Sequence, residues 1–212
     1  MKKTNQTEPR DFKAKKDKFL LEIKEKETLS FRDIFRNDNP VFLEIGSGKG
    51  EFLSEFPLLH PEWNFIGFEM KLRRVNIILR KLDLELHNNI RLAVCRIDAG
   101  IEKIISPNSV TGVFIQHPDP WPKRRHFKRR LLQQDFIDAL GKILQKGGFI
   151  QISTDHEEYA VWIQKQFSQR LDFIAKPASG IDFSSDRHIV TFYEREQRKL
   201  GFEPRFMLYE KL

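Results

Sequence analysis

The chain has 212 residues, 40% hydrophobic and 12% aromatic with 19 Phe, enough apolar material for one folded domain and too much for a disordered or fibrous chain. Its single cysteine, Cys95, excludes an internal disulfide framework, a cysteine-rich zinc site and an iron–sulfur cluster held by its own thiolates. Lys and Arg outnumber Asp and Glu by 37 to 30, and the net charge of +7 favours polyanionic partners without singling out nucleic acid.

Residues 1–39 read as a basic N-terminal extension, partly disordered, in which Lys2, Lys3, Lys13, Lys15, Lys16 and Lys18 are broken by Glu8, Asp11 and Asp17. No apolar run of the kind that forms a secretory signal follows them. No stretch approaches the ~18 consecutive apolar residues of a membrane span, so a soluble, cytoplasmic protein without a membrane partner is expected. A short helix over 31–35 is expected to lie against the sheet that follows.

Residues 40–212 read as one domain of alternating strands and helices. Strands are expected at 41–44, 64–68, 90–95, 110–115 and 149–153, with helices over 51–59, 71–87, 101–105, 129–144 and 157–167 between and after them. Five strands with helical crossovers make a parallel sheet covered on both faces. Two further β-rich runs, 189–194 and 205–209, are joined by a charged turn and are expected to pair as an antiparallel edge hairpin. The fold class is therefore α/β, seven strands, mostly parallel, with helices on both faces.

Ligands of open α/β sheets bind at the carboxyl ends of the strands, near the point where strand order reverses. At the end of the first strand stands Glu44-Ile45-Gly46-Ser47-Gly48-Lys49-Gly50. A dinucleotide fingerprint requires G-x-G-x-x-G, and Glu51 takes the place of its third glycine; a P-loop requires Ser or Thr after Gly-Lys, and Gly50 is there instead. The cluster resembles motif I of the class I S-adenosylmethionine-dependent methyltransferases, E-x-G-x-G-x-G, at every position from Glu44 to Gly50, which implies a Rossmann-like sheet. Glu69, at the end of the second strand, suits the two hydroxyls of a ribose. The superfamily resemblance places Asp98 at the adenine amino group.

Beside this cluster the fourth strand runs into Pro118-Asp119-Pro120-Trp121-Pro122-Lys123-Arg124-Arg125-His126-Phe127-Lys128-Arg129-Arg130. Three prolines fix φ and hold Asp119 and Trp121 in an extended loop. Six of the eight residues from Lys123 to Arg130 are Lys or Arg, dense enough to bind a phosphate backbone. The segment resembles the P-D-P-W-x-K-x-R-H-x-K-R-R signature of the tRNA (guanine-N7-)-methyltransferase family. Ser153-Thr154-Asp155 with Tyr159 resembles the family's T-D-x-x-x-Y, and Thr191-Phe192-Tyr193-Glu194 its T-x-F/Y-E.

The resemblance covers about residues 40–212. It implies methyl transfer from S-adenosylmethionine to N7 of a guanine in the tRNA variable loop, with Glu44, Gly46, Gly48, Gly50, Glu69, Asp98 and Asp119 on the cofactor and Asp119 also the catalytic-site acid. Lys123, Asp155, Thr191, Phe192, Tyr193 and Glu194 would meet the substrate, while Arg124, Arg125, Lys128, Arg129 and Arg130 would track the RNA backbone. A monomer or homodimer acting without a partner subunit is expected, and no metal. Gln116, His117 and Phe192 depart from the family pattern, and His117 has a structural reading as a strand-end histidine satisfied by a backbone carbonyl. Two other functions compete: an amino-methyltransferase, whose N-P-P-Y type loop Asp119-Pro120-Trp121 partly resembles, and a non-catalytic RNA-binding subunit.

Overall fold

The computed structural model describes residues 10–24, 27–177 and 189–212. Its elements are α1 (Arg10–Phe19), β1 (Leu20–Leu21), α2 (Phe31–Phe35), β2 (Val41–Ile45), α3 (Glu51–Leu59), β3 (Asn64–Glu69), α4 (Leu72–Lys81) and β4 (Ile90–Val94). After a 3₁₀ turn at Ala99–Lys103 come β5 (Val110–Gln116), a second 3₁₀ helix at Arg124–Arg129, α5 (Gln134–Ile143), β6 (Leu144–Thr154), α6 (Glu157–Ser168), β7 (Phe173–Lys176), α7 (Phe192–Lys199) and β8 (Arg205–Lys211).

The strands form one sheet in the order β1-β4-β3-β2-β5-β6-β8-β7. All neighbours are parallel except β8, which runs antiparallel to both β6 and β7. Alternation along β2 sorts the core into two layers: Val41, Leu43 and Ile45 join α5 and α6 side chains such as Phe136, Leu140 and Ile163. Phe42, on the other face, joins Phe52, Phe56, Val75, Ile78 and Leu79 of α3 and α4. Every residue of β2 and β3 is buried, as expected of central parallel strands covered on both sides.

The sheet has eight strands where seven were expected, and its antiparallel edge is built differently. The 189–194 run contributes no strand: Phe192–Lys199 is helical, and β8 pairs with β6 and β7. The reason is local. The Thr191 hydroxyl accepts from the Glu194 backbone N–H at 3.2 Å, capping the helix, and the Glu194–Arg198 pair at 2.8 Å braces it one turn later. These contacts override the β preference of the aromatic and branched residues.

The eighth strand comes from the basic extension. β1 pairs in parallel with β4, and Phe19 and Phe35 are buried in the two core layers. Residues 1–9 and 25–26 of that extension, with Lys2 and Lys3, lie outside the described residues. The helix expected over 71–87 ends at Lys81, because the Asp83 carboxylate accepts from the N–H groups of Glu85 and Leu86 at 2.8 and 3.0 Å and closes a turn. The helix expected from 129 begins at Gln134, since Arg130 is extended and its side chain is committed elsewhere.

Candidate functional site

The carboxyl ends of β2, β3, β5 and β6 meet at one edge of the sheet, and the site is built there. Gly46, Gly48 and Gly50 all have positive φ, at 83°, 58° and 76°. The N–H groups of Gly46 and Ser47 both donate to the Phe68 carbonyl, at 2.8 and 3.1 Å, which pins the turn to the end of β3. A methyl group built on Gly46 would meet nothing within 4 Å, and one on Gly48 only the Gly46 carbonyl at 3.9 Å. Glycine is needed there for its conformation, and open space is left over the turn. At Gly50 the need is also steric, because a Cβ would come within 2.6 Å of Ile78 on α4.

Two buried carboxylates flank this turn. Glu69, 3% exposed, accepts from the Gly48 N–H at 3.0 Å through one oxygen and from the Lys71 N–H at 2.9 Å through the other, with Arg74 at 3.5 Å. The oxygen that meets Lys71 keeps acceptor capacity for a hydroxyl, while the other already accepts from both Gly48 and Arg74. Glu44 is equally buried; one oxygen accepts from the Gln116 side-chain amide at 3.4 Å and the other has no hydrogen-bond partner. Burial pushes the Glu44 carboxyl up to about 7 against the neighbouring Ser47 hydroxyl, which lowers it, and the charges of Glu51 and Glu69 add smaller upward contributions. An orphaned buried acceptor beside an open glycine cradle fits a polar nucleoside-bearing cofactor better than it fits a closed structural turn. Asp98 lies further out: it is exposed and caps the 3₁₀ turn by accepting from the Gly100 N–H at 2.9 Å.

On the opposite flank, the loop after β5 presents Asp119 exposed, and Lys123, Arg124, Arg125, Lys128 and Arg129 are exposed behind it. Arg130 departs from the expectation that it tracks RNA. It is 2% exposed, its Nε donates to the Pro120 carbonyl at 2.8 Å, and its guanidinium lies 3.6 Å from the Phe127 ring centroid and 5.1 Å from those of Tyr159 and Trp162. Arg130 thus ties the helical end of the segment back to the proline frame. Trp121, at φ 42°, is enclosed by its own segment, with His126 edge-on at 5.7 Å and Arg129 at 5.1 Å.

Asp155, just past β6, receives the Tyr193 hydroxyl at 3.2 Å and lies 3.6 Å from His117 Nδ1. Burial first, then the charge and hydrogen bond of Asp155 and the charge of Asp119, raises the Tyr193 phenol to about 12, so Tyr193 stays a donor to Asp155. The preceding residue, Phe192, sits under Lys49 of the glycine turn, with Nζ 3.5 Å from its ring centroid. α7 therefore touches both flanks of the site through neighbouring side chains. Thr191 and Glu194 serve α7 itself, as its cap and as the 1%-exposed partner of Arg198.

A family model described as "Putative methyltransferase" matches residues 38–203. The tRNA (guanine-N(7)-)-methyltransferase of Zymomonas mobilis is 34% identical, covering 91% of this chain and 84% of that one. Its namesake from Enterococcus faecalis is 31% identical and covers 98% of this chain and 99% of the other. The chain belongs to the tRNA (guanine-N7-)-methyltransferase family. Among solved structures, a 16S rRNA methyltransferase, KamB, superposes with a TM-score of 0.60 at 11% identity, covering 90% of this chain and 95% of that one. An rRNA methylase from Streptococcus thermophilus gives 0.53 at 15%, covering 83% and 89%. At such identities the likeness speaks for the Rossmann-like fold alone.

Three residues that the family signature does not single out enter the site of this member. Gln116 donates to Glu44, His117 packs on Asp155 and the Tyr193 ring, and Lys49 reaches Phe192. His117 is no ordinary strand-end residue: its φ is 47°, and its backbone N–H donates to the Ser153 carbonyl at 2.9 Å, locking the ends of β5 and β6 together. Only the position of His117, two residues before Asp119 at a strand end, signals it in the sequence. Among the described residues no group of three or more His, Cys, Asp or Glu side chains forms a metal site, and no helix is long and apolar enough to cross a membrane.

Proposed function

We propose that this chain transfers the methyl group of S-adenosylmethionine to N7 of a guanine in the variable loop of tRNA, acting in the cytoplasm as a monomer or homodimer without a further subunit. The observation that carries this reading is the open glycine turn set between the buried carboxylates Glu44 and Glu69, with Asp119 and the Asp155–Tyr193 pair at the ends of the neighbouring strands β5 and β6. Glu69 would hold the ribose hydroxyls, the orphaned oxygen of Glu44 would hold the ammonium of the amino-acid portion, and Asp98 the adenine. Bound there, S-adenosylmethionine supplies an electrophilic methyl on a sulfonium that leaves as a neutral thioether.

Guanine N7 carries a lone pair and no proton, so the site needs no base to free its nucleophile. Orientation is the larger task, and holding N7 in line with the methyl group contributes roughly 7–11 kcal/mol. The purine gains positive charge as the bond forms. Asp119 and Asp155 would accept from guanine N1–H and N2–H and stabilise that charge, and the Tyr193 donor would fix which Asp155 oxygen faces the base. Lys123, Arg124, Arg125, Lys128 and Arg129 would bind phosphates and offset the few kcal/mol needed to expose a base from folded tRNA.

The test is methyl transfer from labelled S-adenosylmethionine to unmodified tRNA, with the product nucleosides resolved by mass spectrometry against authentic 7-methylguanosine. That nucleoside is the expected product. A different methylated nucleoside overturns the site of transfer, and cofactor binding without RNA methylation overturns the substrate.

A further inference from the structure

The most cationic element outside the site is α4. From Met70 to Lys81 the chain carries five cations and no acid. Val75, Ile78 and Leu79 turn into the core, so Lys71, Arg73, Arg74, Arg80 and Lys81 are left on the exposed side. Two are neutralised, Arg74 by Glu69 at 3.5 Å and Lys81 by Glu51 at 2.6 Å. Among the described residues no carboxylate pairs with Lys71, Arg73 or Arg80.

α1 lies alongside and extends this face. The Phe12 ring has Lys16 at 5.1 Å and Arg80 at 5.2 Å from its centroid, and Lys13 is exposed one residue on. Arg73 and Arg80 also wall a shallow open groove with Leu72, Asn76 and Ile77; Leu72 is 54% exposed, and Met70, two residues before it, is 59% exposed. Exposed apolar side chains between two arginines without carboxylate partners mark a contact surface more than an ordinary solvated face.

Position decides the occupant. α4 starts just after Glu69, so its cations begin at the lip of the cofactor site. The sheet order sets β3 and β4 on one side of β2 and β5 on the other, which puts this face and the Lys123–Arg129 loop on opposite flanks of the turn. A nucleotide held between them sends its chain away in two directions, and only one of these is served by the loop after β5. A second copy of the chain fits less well, because a two-fold contact through α4 would bring Arg73 and Arg80 against the same residues of the other copy.

We propose that the α4–α1 face is a second RNA-binding surface, on which Arg73 and Arg80, with Lys71 and Lys13, take the sugar-phosphate backbone of tRNA leaving the target guanine on the flank opposite Lys123–Arg129. Guanidinium groups suit phosphates through paired N–H donors, and the apolar floor suits a sugar face. The inference rests on tRNA being the substrate, so wild-type methyl transfer to tRNA is measured in the same series.

The experiment compares full-length wild type, an Arg73→Gln/Arg80→Gln variant and a Lys146→Gln/Lys165→Gln control that removes two exposed cations elsewhere. Binding of unmodified tRNA is followed across a salt series, with S-adenosylhomocysteine affinity and methyl transfer at saturating tRNA read in parallel. The arginine variant is expected to bind tRNA about tenfold more weakly near physiological salt and to have a log–log salt slope shallower by about two, while the control matches wild type. Cofactor-product affinity and the saturated rate should not change. Affinity and slope equal to wild type, or an equal loss in the control, overturn the proposal. Concentration-dependent dimerisation abolished by Leu72→Asp, with tRNA binding intact, gives the face to a second copy instead. Wild type that methylates no tRNA overturns the functional reading and this inference with it.

Discussion

Around the turn after β2 the acids Glu44 and Glu69 are buried and met by backbone N–H groups, one amide and the Arg74 guanidinium, while in the loop after β5 the charges stand exposed around one buried cation, Arg130. The first arrangement suits a small ligand whose position must be fixed before reaction, because buried acceptors act in a low dielectric and need no reorganisation. The second suits a large polyanion met over a wide surface, where individual cations contribute little and their sum sets affinity. One site thus holds two electrostatic regimes, and α7 touches both through Phe192 and Tyr193.

The sharpest way to break this comparison is to remove the exposed acid of the loop after β5, Asp119. Asp119→Ala should lower kcat/KM for methyl transfer by about 10²- to 10³-fold while tRNA affinity stays within a few-fold of wild type. Single-turnover kinetics and tRNA binding on the same preparation check this, and an equal loss in both would return Asp119 to a general role in RNA contact.

Next in size is the contrast between the buried cation and its exposed neighbours. Arg130→Ala should destabilise the protein by about 2–4 kcal/mol, since it opens a cavity between Phe127, Tyr159 and Trp162 and frees the Pro120 carbonyl. Lys123, Arg124 and Arg125 together changed to Ala should leave stability unchanged and flatten the salt dependence of tRNA binding. Denaturant melts and salt titrations read the two outcomes, and a stability loss in the triple variant would contradict the division.

Glu44 sharpens the other side. Its carboxyl, raised from 4.5 to about 7 in the folded protein, holds a proton more tightly folded than unfolded. Stability is therefore lost as pH rises from about 4.5 through about 7, by up to about 3 kcal/mol. Glu44→Gln avoids this loss and should be more stable than wild type at pH 8 and equal to it near pH 4.5, while binding S-adenosylhomocysteine more weakly. Urea melts without cofactor across that range test the sign. The smallest effect is expected at the bridge between the flanks: Phe192→Ala should weaken product-cofactor binding only several-fold, in keeping with about 0.5–1 kcal/mol for an exposed cation–π contact.

The glycine turn was legible in the sequence because positive φ at three alternate positions leaves glycine as the natural choice, and the acids at successive strand ends follow from the sheet's layout. The C-terminal edge was not legible as built. Thr191 and Glu194 cap and brace a helix, and a β-rich composition says nothing of that until the cap is formed. Arg130 was hidden for another reason: within a run of cations no local signal marks the one that turns inward, and its partners Tyr159 and Trp162 are about thirty residues away on α6. The His117–Asp155 contact likewise exists only because β5 and β6 are neighbours in the sheet.

The most direct test of the account is to replace the nucleophile itself. A tRNA transcript made with 7-deazaguanosine keeps the base-pairing edge and phosphates but has carbon and hydrogen where N7 would be. The account predicts that labelled methyl enters the ordinary transcript and not the 7-deaza one, while both bind with the same salt slope. Equal methylation of the two would contradict it and move the reaction to another atom.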